Sequence, residues 1–167
     1  MKPLATLTVG IAIAAATLSV AAIAHAGGPP GGGSEPSGAP SQCFDADLAV
    51  TNGAVESANT MRRVVVSFKN TSPNPCRLVG YPEADLVSAA GGVLVHVEPR
   101  PAPAAHVLTL APGDVANADV EAYAIDTATG NSCPREGTLV VTPPNDSVSH
   151  TLNVALPICS ATISSVD

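Results

Sequence analysis

Four cysteines, Cys43, Cys76, Cys133 and Cys159, follow a segment that reads as an export signal, and they constrain the fold more than any other feature. An even set of thiols in an exported chain reads as a disulfide framework. It implies an oxidising compartment and a small, cross-linked, extracytoplasmic domain, without naming an activity. Metal and redox readings fit the spacing poorly. No two cysteines are separated by two to four residues, and no histidine lies at ligand spacing from them, as a zinc site requires. A thiol-redox site would use C-x-x-C, which is absent. Copper handling would use a Met/His cluster, whereas only Met61 and the scattered His96, His106 and His150 follow the signal. The expectation is therefore no metal and no cofactor.

The address lies in the first residues. Lys2 gives a positive start, and an uncharged run rich in Ala, Leu, Ile and Val extends from Leu4 to Ile23. It ends in Ala24-His25-Ala26, the small-x-small pattern that a signal peptidase reads, so cleavage is expected between Ala26 and Gly27. The alternative is an uncleaved anchor, since about 20 apolar residues suffice to span a bilayer. Cleavage would leave a secreted or cell-wall-associated protein with no stable membrane span. Residues 27–42, GGPPGGGSEPSGAPSQ, bury too little surface to offset their ordering entropy and are expected to form a disordered linker or tail. As a flexible coil of about 16 residues, its ends would lie about 20–25 Å apart.

The remaining stretch, residues 43–167, has the size of one domain. The chain carries a formal net charge of −7, and loss of Lys2 with the signal would make it more acidic. Its other basic residues (Arg62, Arg63, Lys69, Arg77, Arg100, Arg135) form no stripe, which argues against nucleic acid or anionic lipid as a partner. Two Phe, two Tyr and no Trp leave the core to Val, Leu, Ile and Ala. They also leave no stacked aromatic platform for sugars, although a hydrogen-bonded glycan site survives that objection.

Apolar residues alternate in short runs between turn signals, the pattern of half-buried antiparallel strands. Phe44, Ala46, Leu48 and Val50 are expected to share one face, with Asp45 and Asp47 on the wet side. Val64, Val66 and Phe68 repeat the pattern until Asn70-Thr71-Ser72-Pro73-Asn74-Pro75 breaks it. A short run follows over residues 78–86, and Ala90-Gly91-Gly92 turns into Val93, Val95 and Val97. Pro99, Pro101 and Pro103 predict an extended crossing outside any ladder. Residues 107–110 read as a strand closed by Ala111-Pro112-Gly113-Asp114. Residues 115–125 fit both a helix and a strand, with the strand preferred. Residues 138–142 and 149–156 form the last two expected strands, around Pro143-Pro144-Asn145-Asp146. Seven or eight short strands with Pro/Gly turns predict an all-β fold, an immunoglobulin-like antiparallel β-sandwich with two disulfides. A true immunoglobulin domain would add a buried Trp between its cysteines and a Tyr two residues before the second, and both are missing here.

Four cysteines allow three pairings. Hairpin geometry ranks Cys43–Cys76 and Cys133–Cys159 first, because each pair flanks two consecutive antiparallel strands. Closing loops of about 34 and 27 residues is worth about 3.5–4 kcal/mol each in the chain-entropy account. That is large against a typical net stability of about 5–15 kcal/mol.

Catalytic constellations are sparse. Gly130-Asn131-Ser132-Cys133-Pro134 approaches the nucleophile-elbow motif, but proline replaces its last glycine and no strand-to-helix turn surrounds it. Asp45 with Asp47, and Asp119 with Glu121, read as the wet faces of strands. No catalytic residue is expected.

Taken together, Asn70-Thr71-Ser72-Pro73-Asn74-Pro75-Cys76-Arg77-Leu78-Val79-Gly80-Tyr81-Pro82 resembles the central signature of domain-of-unknown-function family 4232. Cys43, Gly91-Gly92, Leu110-Ala111-Pro112-Gly113, Cys133, Val140-Val141-Thr142-Pro143-Pro144 and Cys159 extend the resemblance over residues 43–160. It implies an antiparallel sandwich, an actinobacterial source and an envelope-facing address, and it supplies no catalytic residues. Many members carry a lipid-modified cysteine before the linker, which this chain lacks.

The functional expectation is a non-enzymatic binding or structural module of the envelope or extracellular space, with a protein or glycan partner. Its loops would carry contacts through Ser72, Pro73, Asn74 and Tyr81, and through Asn131 and Ser132 in the stretch 126–137, although Tyr81 also fits a core or corner position. The alternatives are an exported hydrolase using His96, His106 or His150 with an acid, and a small-ligand carrier with an apolar pocket.

Overall fold

A computed structural model describes residues 38–102 and 106–167. The expected signal, its cleavage point, the linker up to residue 37 and Pro103 lie outside the described residues. Among those described, no helix is long and apolar enough to cross a membrane.

The described chain is all-β, with 12 strands in three sheets. They are β1 (Leu48–Asn52), β2 (Glu56–Ala58), β3 (Met61–Asn70), β4 (Cys76–Val79), β5 (Glu83–Val87) and β6 (Val93–His96). There follow β7 (Glu98–Pro99), β8 (Val107–Leu110), β9 (Val115–Tyr123), β10 (Glu136–Thr142), β11 (His150–Pro157) and β12 (Cys159–Ile163). The largest sheet runs β1-β3-β9-β12-β7, with β2 added against β3. A second runs β11-β10-β5-β6, and β4 pairs with β8 in a third. The strands outnumber the seven or eight expected because β2, β7 and β12 add short pieces and the run over residues 78–86 divides between β4 and β5.

The spine is the antiparallel β3–β9 pair, in register from Met61↔Tyr123 to Lys69↔Val115. Every second residue of β3 from Val64 to Phe68 is buried, and so are Ala116, Ala118, Val120 and Ala122 of β9. Phe68 sits opposite Ala116 and Val66 opposite Ala118, so small residues on one strand make room for large ones on the other. The period of two decides between the helix and strand patterns of residues 115–125 in favour of the strand. The inward residues of the second sheet, Leu86, Leu139 and Val141, join the same hydrophobic cluster. Each such side chain contributes about 1.5–3 kcal/mol on burial. Gly137 of β10 lies so close to β5 that a Cβ there would stand 2.8 Å from Leu86 Cβ, which makes glycine a packing requirement.

Three expectations are corrected. Residues 44–47 do not extend β1: Asp45–Asp47 form a 3-10 turn, and Phe44 is 52% exposed. The turn closes because the Phe44 N–H donates to the Asp47 carboxylate at 3.0 Å, a local bond that competes with a ladder. Pro99 does enter a ladder, in the two-residue parallel pairing of β7 with β12. As an edge residue it is not required to donate to a second neighbour. Finally, the chain does not leave the sheets after β11, since β12 begins at Cys159 and lies between β9 and β7.

Two disulfides link the elements. Cys43–Cys76, with Cα atoms 5.0 Å apart, joins the lead-in to β1 to the start of β4. Cys133–Cys159, at 5.9 Å, joins the lead-in to β10 to the start of β12. Cys133 precedes β10 and its N–H donates to the Ala124 carbonyl just past β9, so the latter disulfide closes the β10–β11 hairpin beside the largest sheet. Two structural disulfides fit an oxidising, extracytoplasmic environment.

Candidate functional site

Gly80, with a φ of +104°, separates β4 from β5 where the chain passes between sheets, a backbone state that suits glycine. Beyond this corner a groove of about 410 Å³ opens on the second sheet. Tyr81 and Pro82 form its corner wall, β5 contributes Glu83 and Asp85, and β10 contributes Val140 and Thr142. His96 at the end of β6 and Glu98 of β7 close the other side. The Tyr81 hydroxyl donates to the Arg100 carbonyl at 2.8 Å, so the ring serves as a corner post. Glu83, Asp85 and Glu98 make the lining acidic, and its only basic group is His96. Register places Asp85 opposite His96, and His96 Nδ1 lies 2.6 Å from Asp85 Oδ1.

The histidines do not converge. The His96 side chain is 80% exposed, and His106 is exposed just ahead of β8. His150, at the start of β11, faces another acid: its Nε2 lies 2.8 Å from Asp45 Oδ1, within ion-pair range but not aligned for a hydrogen bond. This contact belongs to a clasp between the lead-in to β1 and the turn before β11. Gln42 Nε2 donates to the Pro144 carbonyl at 3.1 Å, and the Asp45 N–H donates to the Asp146 carboxylate. Burial alone would raise the pKa of Asp146. The backbone N–H groups of Ser147, Val148 and Asp45, together with His150, outweigh it and hold the carboxyl below its usual range. Asp45 therefore belongs to an intersheet tie instead of a wet strand face.

Apart from Tyr81, the expected contact residues occupy two separate places. Ser72, Pro73 and Asn74 lie in the turn after β3, beside the start of β9. Asn131 and Ser132 are exposed in the loop after β9, beside the start of β3. Eight residue steps of the β3–β9 ladder separate these ends, about 26 Å. Asp126 organises the second loop, accepting the Ala128 N–H at 2.9 Å and the Thr129 hydroxyl at 3.0 Å. Those bonds, led by the Ala128 N–H, lower its pKa. Three outward charges of the spine are paired: Arg63 with Asp119 at 2.7 Å, and Glu121 with Arg100, which follows β7, at 3.2 Å.

The sequence reading missed Asn70, which is fully buried at the end of β3. Its Nδ2 donates to the carbonyls of Asn74 and Leu110, both at 2.9 Å, and its Oδ1 accepts the Ser72 N–H at 2.9 Å. The available signal was an inward polar residue, two positions beyond Phe68 on the buried face, directly before a Pro-rich turn. Among the described residues no cluster of three or more His, Cys, Asp or Glu side chains could hold a metal ion.

The fold and groove define an all-β domain with two disulfides, an acidic groove at a strand corner and an intersheet clasp. Residues 43–166 match the family described as Domain of unknown function (DUF4232), and the chain belongs to that family. Comparison with curated proteins gave no match.

Proposed function

We propose that this domain is an exported, non-enzymatic binding module whose contact surface is the acidic groove at Tyr81–Pro82, and whose ligand presents a basic group. The observation that carries the reading is the groove itself: a concave surface on sheet strands, with three carboxylates and an aromatic post. Such a surface favours a lysine- or arginine-bearing segment of an envelope or extracellular protein, or an amino-bearing glycan. The two disulfides and the intersheet clasp would keep it rigid, lowering the ordering cost of binding. In this reading the two larger sheets form an immunoglobulin-like sandwich. The chain is released by cleavage after Ala26 and works in the cell envelope or outside an actinobacterial cell.

The hydrolase alternative has one foothold, the His96–Asp85 pair inside the groove. A nucleophile in hydrogen-bond reach of His96 would strengthen it. Among the described residues His96 bonds to Asp85, while the lining hydroxyls of Thr142 and Ser149 lie 2.8 Å from each other. A small-ligand carrier would call for an apolar cavity, whereas this groove is lined with carboxylates.

The test is capture from envelope extract on the folded wild-type domain and on Glu83→Gln/Asp85→Asn/Glu98→Gln. Retention by the wild type, lost in the triple variant and weakened by salt, supports the reading. Equal retention, or none by either protein, overturns it.

A further inference from the structure

We propose that the Cys133–Cys159 disulfide is a reversible thiol-exchange site, which an external dithiol opens while Cys43–Cys76 stays closed. The two bonds differ in access. Cys43 and Cys76 are 0% and 2% exposed and belong to the hydrophobic cluster, whereas Cys133 and Cys159 are both part-exposed and lie outside that cluster. Thiol–disulfide exchange requires a thiolate to reach a sulfur, so access separates otherwise similar bonds.

The surroundings of the outer bond are also held by backbone hydrogen bonds. The Cys133 N–H donates to the Ala124 carbonyl at 2.8 Å, and the Ile158 N–H donates to the Arg135 carbonyl at 3.2 Å. Cys159 is in register with Tyr123 of β9. The preceding loop is closed by an Asp126 N–H bond to the Asn131 carbonyl at 2.8 Å and by an Ile125–Ser132 bridge. Both cysteines would therefore remain near each other after reduction, at high effective concentration for closing again. The fold would persist with the covalent link released only at this point.

The chemistry balances with a dithiol as reductant. One of its thiolates attacks a sulfur of the Cys133–Cys159 bond, forming a mixed disulfide and releasing the other cysteine as a thiolate. Its second thiol, as thiolate, then displaces the remaining cysteine. Two electrons pass to the protein, both cysteines end as thiols with protons from the dithiol and solvent, and the dithiol leaves as a disulfide. An oxidised dithiol reverses the sequence.

The experiment treats the oxidised domain with graded dithiothreitol under native conditions, quenches with N-ethylmaleimide, and locates the label by peptide mass spectrometry. Far-UV circular dichroism is followed in parallel. Cys133 and Cys159 are expected to label at least about tenfold faster than Cys43 and Cys76, with the spectrum retained. Subsequent oxidised dithiothreitol is expected to restore the same link. Labelling of all four cysteines together, faster labelling of Cys43 and Cys76, loss of the spectrum in step with Cys133 labelling, or failure to close again would each overturn the proposal. In Cys133→Ser/Cys159→Ser the fast-labelling phase is expected to vanish. Its persistence on the remaining cysteines in a folded variant would also overturn it.

Discussion

Asn70 shows how one buried side chain can fix a turn that its neighbours leave undetermined. Its amide bonds to Leu110, Asn74 and Ser72, while its own backbone N–H donates to the Asp114 carbonyl at 2.9 Å. Asn70→Ala would remove the side-chain partner of the Leu110 carbonyl and of the Ser72 N–H at the edge of the core, while the Asn74 carbonyl keeps the Ser72 hydroxyl. The expected loss is about 2–4 kcal/mol in urea unfolding, and a loss below about 0.5 kcal/mol would contradict the role assigned here. Asp146 acts at the same scale through charge. Its pKa is lowered in the folded protein, so its contribution is present above the unfolded value of about 3.9 and is lost as pH falls through the folded value. The difference in melting temperature between wild type and Asp146→Asn is therefore expected to be largest near neutral pH and to shrink below about pH 4. A gap that stays constant to pH 2 would show that the ionised carboxylate contributes nothing.

Among the elements, legibility follows the strength of alternation. Strand β3 was readable, and a strand was preferred for β9, because a period-two run of Val, Phe and Ala covers their inward faces from Val64 to Phe68 and from Ala116 to Ala122. The 3-10 turn at Asp45 was not readable, since Phe44, Ala46, Leu48 and Val50 alternate just as well, and the local Phe44–Asp47 bond acts together with the distant Asp146 and His150 to hold the turn. Strand β12 escaped notice because Cys-Ser-Ala-Thr-Ile has little apolar bulk, and its place depends on β9 and β7, which are remote in sequence. The chain beyond β12 is also integrated. Val166 is fully buried and its N–H donates to the Gly80 carbonyl at 3.0 Å, while Asn117 and Asp167 exchange two backbone bonds at 2.9 Å. Removing residues 164–167 is expected to cost at least about 2 kcal/mol, read as a lower urea midpoint. An unchanged midpoint would mean that this tail does not support the Gly80 corner.

On the scale of the whole molecule, the cysteines pointed to an oxidising environment and a cross-linked fold, whereas the groove was hidden from the sequence. It is assembled from residues as far apart as Tyr81 and Ser149, brought together by the β10–β5 and β5–β6 pairings. Tyr81 was read both as a loop contact and as a core or corner tyrosine; its hydroxyl is occupied as a corner post and its ring forms one wall of the groove. The expected contact loops remain at opposite ends of the β3–β9 ladder, because a long regular pair separates its ends by its own length. Each disulfide of the covalent frame is worth about 3.5–4 kcal/mol in the chain-entropy account. Peptide mapping of the folded protein under non-reducing conditions tests that frame directly. The account predicts two linked peptide pairs, Cys43 with Cys76 and Cys133 with Cys159; a Cys43–Cys159 or Cys76–Cys133 link would contradict it.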